Sequence, residues 1–220
     1  MITLSDVENN EYIKALIKYS KIQLDNLGYT DHSVRHCKLV AIRTGEILEG
    51  LKYSEDIVRL GQIAGYIHDI GNSINRVDHA HSGAILAYSI LDKMGMKPED
   101  IAEVIMAIGN HDEVTGTPVS PITAALILAD KTDVHKSRVN AKGDPNLHIH
   151  NRVNYAVQKS DLFVDYENRK ISVNLQIDTS VTQIMDYFEI FTQRMIMCKR
   201  AANFLNQRLE LVINGSVILQ

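Results

Sequence analysis

Between about Glu8 and Lys131 the apolar residues recur every three or four positions, segment after segment. Such a period is satisfied only by helices that each bury one stripe, so it restricts the fold more than any other feature. The first helix is expected over about 8–27, with Tyr12, Leu16, Tyr19 and Leu27 on its stripe and Gly28 as its stop. A second starts at a Thr30/Asp31 cap and carries Val40, Ile47 and Leu51. Ser54 caps a third (Ile57, Leu60, Ala64, Ile67), with Glu55 and Asp56 where the helix dipole favours acids. Asp78 caps a fourth through Ala84, Ala87, Ile90, Leu91 and Met94, closed by Gly95. Pro98 and Pro121 each open a further helix, since proline is suited to a first helical turn.

After about Ser160 the pattern changes. Leu162–Tyr166 and Ile171–Ile177 flank Glu167-Asn168-Arg169-Lys170 as a β-hairpin. Asp178/Thr179 caps a long helix to about Leu209, whose Met185, Phe188, Phe191, Met195 and Met197 read as core or a dimer seam. A second hairpin turns at Asn214-Gly215, a pair suited to a tight primed turn. The expected organisation is an N-terminal helix (1–29), a helical domain (30–140), a loop and connecting helix (141–160), and a small α+β appendage (161–220) of antiparallel hairpins plus one long helix. The likeliest long loop runs from Asn140 to Asn151. Hairpin edges are often covered by a second copy, so a homodimer is expected.

Composition narrows the function. The net charge of −4 disfavours binding to a nucleic-acid polymer, which needs a surplus of positive charge. The run Ala124–Ala129 is too short to cross a bilayer, and Asp6 and Glu8 stand where a signal peptide would be apolar. Cys37 and Cys198 make no disulfide framework, and a cytoplasmic location is expected. All nine histidines lie between His32 and His150. That clustering points to a site in the central segment supported by the two ends.

Helical spacing places His36, His68, His111 and Asp130 on core-facing sides of four separate helices, with Asp69 beside His68. An unpaired buried polar group costs roughly 2–7 kcal/mol and a charge more, so several from different helices require a common partner. Neutral imidazoles and carboxylates together are the ligands of divalent transition metals.

With these residues in place the sequence resembles the HD-domain metal-dependent phosphohydrolases. The resemblance rests on His36, then His68-Asp69 within Tyr66-Ile67-His68-Asp69-Ile70-Gly71, then Asp130 within Leu128-Ala129-Asp130-Lys131, and covers roughly 30–138. It implies an all-α HD-domain bundle in which His36, His68, Asp69 and Asp130 hold a metal. Asp78-His79-Ala80-His81-Ser82-Gly83-Ala84 is similar to the His-x-x-x-Gly-Ala segment of two-metal members, which implies His79 as a further ligand with His81 as its rival. Asn110-His111-Asp112-Glu113 is similar to a segment that carries paired histidines in some members; here Asn110 takes the first place and His111 the second.

The resemblance further implies hydrolysis of a small phosphate ester (phosphomonoester, nucleotide or cyclic nucleotide) by metal-activated hydroxide. The expected cofactor is one or two divalent transition-metal ions per chain, among Mn, Fe, Ni, Zn or Co. Asp69 is expected to bridge two metals if both are present, Lys131, Arg76 and Arg138 to face phosphate, and Asp133 or His111 to protonate the leaving oxygen. Gly116-Thr117-Pro118 lacks the Gly-Tyr-Pro signature of cyclic dinucleotide cleavage. Two rival readings are a di-iron oxygenase of the same type and a non-catalytic nucleotide sensor whose metal clamps phosphate. His32 reads as a solvated helix-start histidine, and His135, His148 and His150 as a polar loop or an alternative metal cluster.

Overall fold

The computed structural model describes residues 1–139 and 149–220. The order of elements is α1 (Leu4–Asn9), α2 (Glu11–Asn26), α3 (Val34–Gly50), α4 (Glu55–Ile67), a 3₁₀ turn (Ile70–Ser73), α5 (His79–Lys93), α6 (Pro98–Gly109) and α7 (Pro121–Lys131). A short 3₁₀ turn (Lys136–Arg138), α8 (Ile149–Ala156), β1 (Val157–Asp165), β2 (Lys170–Ile177), α9 (Ile184–Phe204), β3 (Arg208–Ile213) and β4 (Ser216–Leu219) complete it. The protein is a helical body with a small four-stranded sheet at its C-terminal end.

Side-chain caps set most helix starts. Ser33, Ser54 and Ser120 each accept a first-turn amide of α3, α4 and α7, and Pro98 and Pro121 occupy first-turn positions. Ser33, not Thr30/Asp31, therefore starts α3. Asp78 stands at the N-cap of α5 in the left-handed region (φ 58°) and makes no side-chain cap. The segment expected as one helix over 8–27 is two, because Asn10 leaves helical geometry to cap α2. Its buried stripe is also one residue out of the expected phase. Ile13, Ile17, Ser20 and Leu24 face inward, while Tyr12 and Tyr19 are exposed. Compact aliphatics fill that interface, and the Ser20 hydroxyl donates to the Asp69 and Ile70 carbonyls at 3.3 Å.

Helix α7 is buried on all sides from Ile122 through Ala129, and Thr123 is the one polar residue of that stretch. A helix of that kind sits inside a core. Helices α3, α4, α6 and α9 pack around it. Two glycines permit close approaches of backbone to backbone around the centre. A Cβ on Gly65 would lie 2.8 Å from the Ala41 backbone, so α3 and α4 meet only because this side chain is absent. A Cβ on Gly71 would lie 2.0 Å from the His79 carbonyl oxygen, so α5 starts against the 3₁₀ turn.

The two C-terminal hairpins are not separate units. Strands β1–β2 and β3–β4 are antiparallel, and β2 pairs with β3 in parallel, Ile171 opposite Leu209 and Leu175 opposite Ile213. Parallel neighbours need a long crossover, and α9 provides it. Gln183 and Asp186 form its capping box, so the helix starts later than the Asp178/Thr179 cap expected. Phe191, Met195 and Met197 are buried, whereas Met185 is exposed. Asn214 and Gly215 both have positive φ (51° and 83°), as the primed turn requires. The expected loop over 140–151 falls largely outside the described residues, and its last positions, from Ile149, belong to α8. Among the described residues, no helix is long and apolar enough to cross a membrane.

Candidate metal centre

The ends of α4 and α7, the start of α5, the start of the segment after α6 and the first turn of α3 converge on one carboxylate, Asp69. Helix α4 ends at Ile67, so His68 and Asp69 lie where the chain leaves helical geometry, and both are buried. Asp69 turns its two oxygens to different sides. Oδ2 lies 3.2 Å from His68 Nε2, 3.7 Å from His36 Nε2 and 3.8 Å from His32 Nε2. Oδ1 lies 3.5 Å from His79 Nε2 and 3.9 Å from His111 Nε2. Asp130 faces the first group, its Oδ1 3.4 Å from His36 Nε2 and 3.7 Å from His68 Nε2.

The other ring nitrogen of each histidine is held by an acceptor. His68 Nδ1 meets the Gly65 carbonyl at 2.8 Å, His111 Nδ1 the Ile108 carbonyl at 2.6 Å, and His79 Nδ1 the Arg76 carbonyl at 3.1 Å. His36 Nδ1 meets Asp133 Oδ2 at 2.7 Å. Carbonyls and carboxylates only accept, so Nδ1 carries the proton and each Nε2 presents a lone pair to the interior. The Nε2 atoms of His36 and His68 are buried with no hydrogen-bond partner. His79 Nε2 and His111 Nε2 face each other at 3.3 Å, two lone pairs in repulsion unless a cation stands between them.

The electrostatics favour a cation as well. Burial alone would raise the carboxyl of Asp69, but His68, His32 and His79 outweigh it and hold it well below the usual range. Asp130 follows the same pattern, with burial overcome by Lys131, His36 and His68. Burial opposes the charge on His68, yet Asp69 and Asp130 raise it. Burial pushes His111 down to about 3 and lowers His79, so both rings are neutral near pH 7. Ionised carboxylates and imidazole nitrogens together form an N/O donor set that suits Mn, Fe, Co, Ni or Zn. The groups His36–His68–Asp130 and His68–Asp69–His111 each bring their donor atoms within 4.8 Å of one another.

The remaining residues singled out from sequence divide into several places. Lys131 is buried, its Nζ 2.7 Å from Asp130 Oδ2 and 3.8 Å from Glu113, so it braces Asp130 from behind. Asp133 and Arg138 also stand behind a ligand. Asp133 Oδ2 is shared by His36 Nδ1, Arg35 Nη2 (2.9 Å) and Arg138 Nη1 (3.2 Å), and Arg138 also abuts His36 Nδ1 and His32 Nε2. Burial would raise Asp133, but Arg138 and His36 hold it well below the usual range, so it has no proton to give a leaving oxygen. Arg76 is half-buried at the edge of the centre, with Nη1 3.4 Å from His79 Nε2 and 3.3 Å from Asn72 Oδ1. His81 is exposed beside Asp78, and His135 bonds Ser137 and the Gln158 carbonyl. His150 lies on α8 and His148 outside the described residues.

Three residues of the centre escaped the sequence reading. His32 is buried and joins His36 because the segment before α3 folds back, with Nδ1 on the Thr30 carbonyl at 2.6 Å. It precedes the helix, so helical spacing carried no information about it. Asn72 holds Asp69 Oδ1 at 2.8 Å. Asp112 places Oδ1 3.9 Å from His79 Nε2, near where Asn110 leaves a place without a histidine. Asn110 itself donates to the Met106 carbonyl.

No family model matches this sequence. An uncharacterized protein of Methanocaldococcus jannaschii is 32% identical, over 59% of this chain. The chain spans 58% of that relative's length. A solved structure, described as a predicted HD superfamily hydrolase from an uncultured Thermotogales bacterium, is 28% identical, covering 56% of this chain and 67% of that one with a TM-score of 0.44.

Proposed function

We propose that this protein is a metal-dependent hydrolase of the HD type that acts on a small phosphate ester. One observation carries the reading: four buried histidines, whose Nδ1–H groups donate to backbone carbonyls or to Asp133, turn Nε2 lone pairs toward the two oxygens of Asp69. His36, His68, Asp130 and Asp69 Oδ2 would hold one ion. His79, His111 and Asp69 Oδ1, with Asp112 nearby, would hold a second. A bound divalent cation supplies Lewis acidity, lowering the pKa of water from about 15.7 toward about 7 and taking up charge on phosphoryl oxygens.

The chain's own groups do the rest. Asp133 orients His36 and increases its basicity through the Nδ1 hydrogen bond. Lys131 fixes the carboxylate of Asp130 so that Oδ1 faces His36 and His68. Arg76, over the Tyr29 ring at 5.4 Å and beside His79, is placed to receive a phosphate oxygen at the edge of the centre. Lys131 and Arg138 are committed to carboxylates, so phosphate orientation is assigned to Arg76.

The test is metal content and anaerobic turnover on untagged protein. Mass spectrometry should find at least one Mn, Fe, Co, Ni or Zn per chain. Release of phosphate from a phosphomonoester or nucleotide panel should then proceed without oxygen. Tight nucleotide binding without release under every metal would replace the hydrolase with a sensor. Turnover that requires oxygen and iron would replace it with an oxygenase.

A further inference from the structure

On the far side of His36 from Asp69 lies a second polar cleft of about 310 Å³, between α3, the segment after α7 and β1. Arg35, Leu39 and Arg43 line it at four-residue intervals along α3, and Asp133, His135 and Lys159 face them. Arg43 is the unusual member. It is 8% exposed, and among the described residues no carboxylate lies within ion-pair distance of it. Its Nη2 donates to the Ser160 carbonyl, while Nη1 is buried without any partner. Asp133 and Asp161 act on it only at longer range. Lys159 is occupied by Asp161 at 2.8 Å.

Asp133 Oδ1 is likewise buried without a hydrogen-bond partner, and Arg35 Nε has no hydrogen bond, its nearest carboxylate oxygen being Asp31 Oδ2 at 3.7 Å. The unmet set is therefore one guanidinium donor without an ion pair, Arg43 Nη1, one carboxylate acceptor, Asp133 Oδ1, and a second donor, Arg35 Nε, that faces only Asp31 at 3.7 Å. A buried guanidinium without a counter-ion calls for an anion. The Asp133 oxygen calls for a hydrogen from that same anion. Sulfate and carboxylates offer none, whereas hydrogen phosphate carries both acceptor oxygens and a P–OH. We infer that the cleft formed by Arg35, Arg43 and Asp133 is a binding site for a protonated phosphate group, separate from the metal centre. Its occupant accepts from Arg43 Nη1 and Arg35 Nε and donates to Asp133 Oδ1, whose other oxygen holds His36.

The test uses the full chain stripped of metal, so that the metal centre cannot supply phosphate affinity. Isothermal titration with inorganic phosphate near neutral pH, at ionic strength matched with chloride, should show one site per chain. Sulfate should bind about tenfold more weakly, since it leaves Asp133 Oδ1 unsatisfied. Arg43→Met should lose the site, while Arg76→Ala, altered at the metal centre, should keep it. If Arg43→Met does not fold, arginine side-chain nitrogen resonances of the wild type should show Arg43 moving with phosphate and Arg76 unmoved. No binding beyond chloride, equal affinity for sulfate, or binding that persists in a folded Arg43→Met protein would overturn the inference.

Discussion

Asp133 Oδ2 lies 2.7 Å from His36 Nδ1, on the opposite edge of the imidazole from Asp69 and Asp130. The ring is therefore held between a carboxylate that accepts a hydrogen bond from Nδ1 and two carboxylates that face its Nε2. Partners of this kind typically contribute 10–100-fold to metal affinity or activity. Asp133→Asn should lower metal affinity by about that factor while the far-ultraviolet circular dichroism is preserved. Competition against a fluorescent chelator measures it, and unchanged affinity would show that Arg138 and Arg35 alone position His36.

Removing the central carboxylate is more severe. Asp69→Ala or His68→Ala should reduce retained metal to a small fraction of the wild-type content, with helical circular dichroism intact. Elemental analysis after gel filtration reads the result directly. A mutant with full metal content would exclude these residues as ligands.

Arg76 sits beside the ligands and holds none of them in place through a carboxylate. Arg76→Ala should leave metal content unchanged and raise KM for a phosphate ester by about tenfold or more, the value of a charge-assisted hydrogen bond. A fall in bound metal instead of a rise in KM would assign Arg76 to the support of His79.

Gly65 links stability to the site. A methyl group there would press on the Ala41 backbone and push α4 from α3, separating His68 from His36. Gly65→Ala should cost about 1–3 kcal/mol in urea unfolding and lower metal content together. A loss of stability without loss of metal would mean the helices part elsewhere.

Asp186 provides a pH-dependent contribution away from the centre. The Thr182 hydroxyl, 2.6 Å away, lowers its carboxyl below the usual 3.8. A depressed folded-state value contributes stability that is present above the unfolded value and lost as pH falls through the folded one. Asp186→Asn should therefore flatten the decline in stability below about pH 4, measured by urea melts across that range. An unchanged slope would show that the α9 cap carries no net linkage.

The amino-acid order alone determined most of the helical segments, though not the break at Asn10 or the starts of α3 and α9, together with the two hairpins and the core-facing placement of His36, His68, His111 and Asp130. These follow from local causes: a 3.6-residue apolar period, capping serines, first-turn prolines and an Asn-Gly turn. Tertiary structure decided what local periodicity cannot express. The phase of α2 was chosen by the fit of Ile13, Ile17 and Leu24 over Tyr12 and Tyr19. The parallel pairing of β2 with β3 joins residues nearly forty positions apart through the α9 crossover. His32 reaches the centre from the irregular segment before α3, and His79 is told from His81 by burial, with Gly71 letting the start of α5 lie against the 3₁₀ turn. Lys131, Asp133 and Arg138 were placed in the right neighbourhood by sequence, but their roles turn on which side of a ligand each one stands. That is set by packing between distant helices, where a shift of a few ångströms exchanges a phosphate contact for a brace behind a histidine.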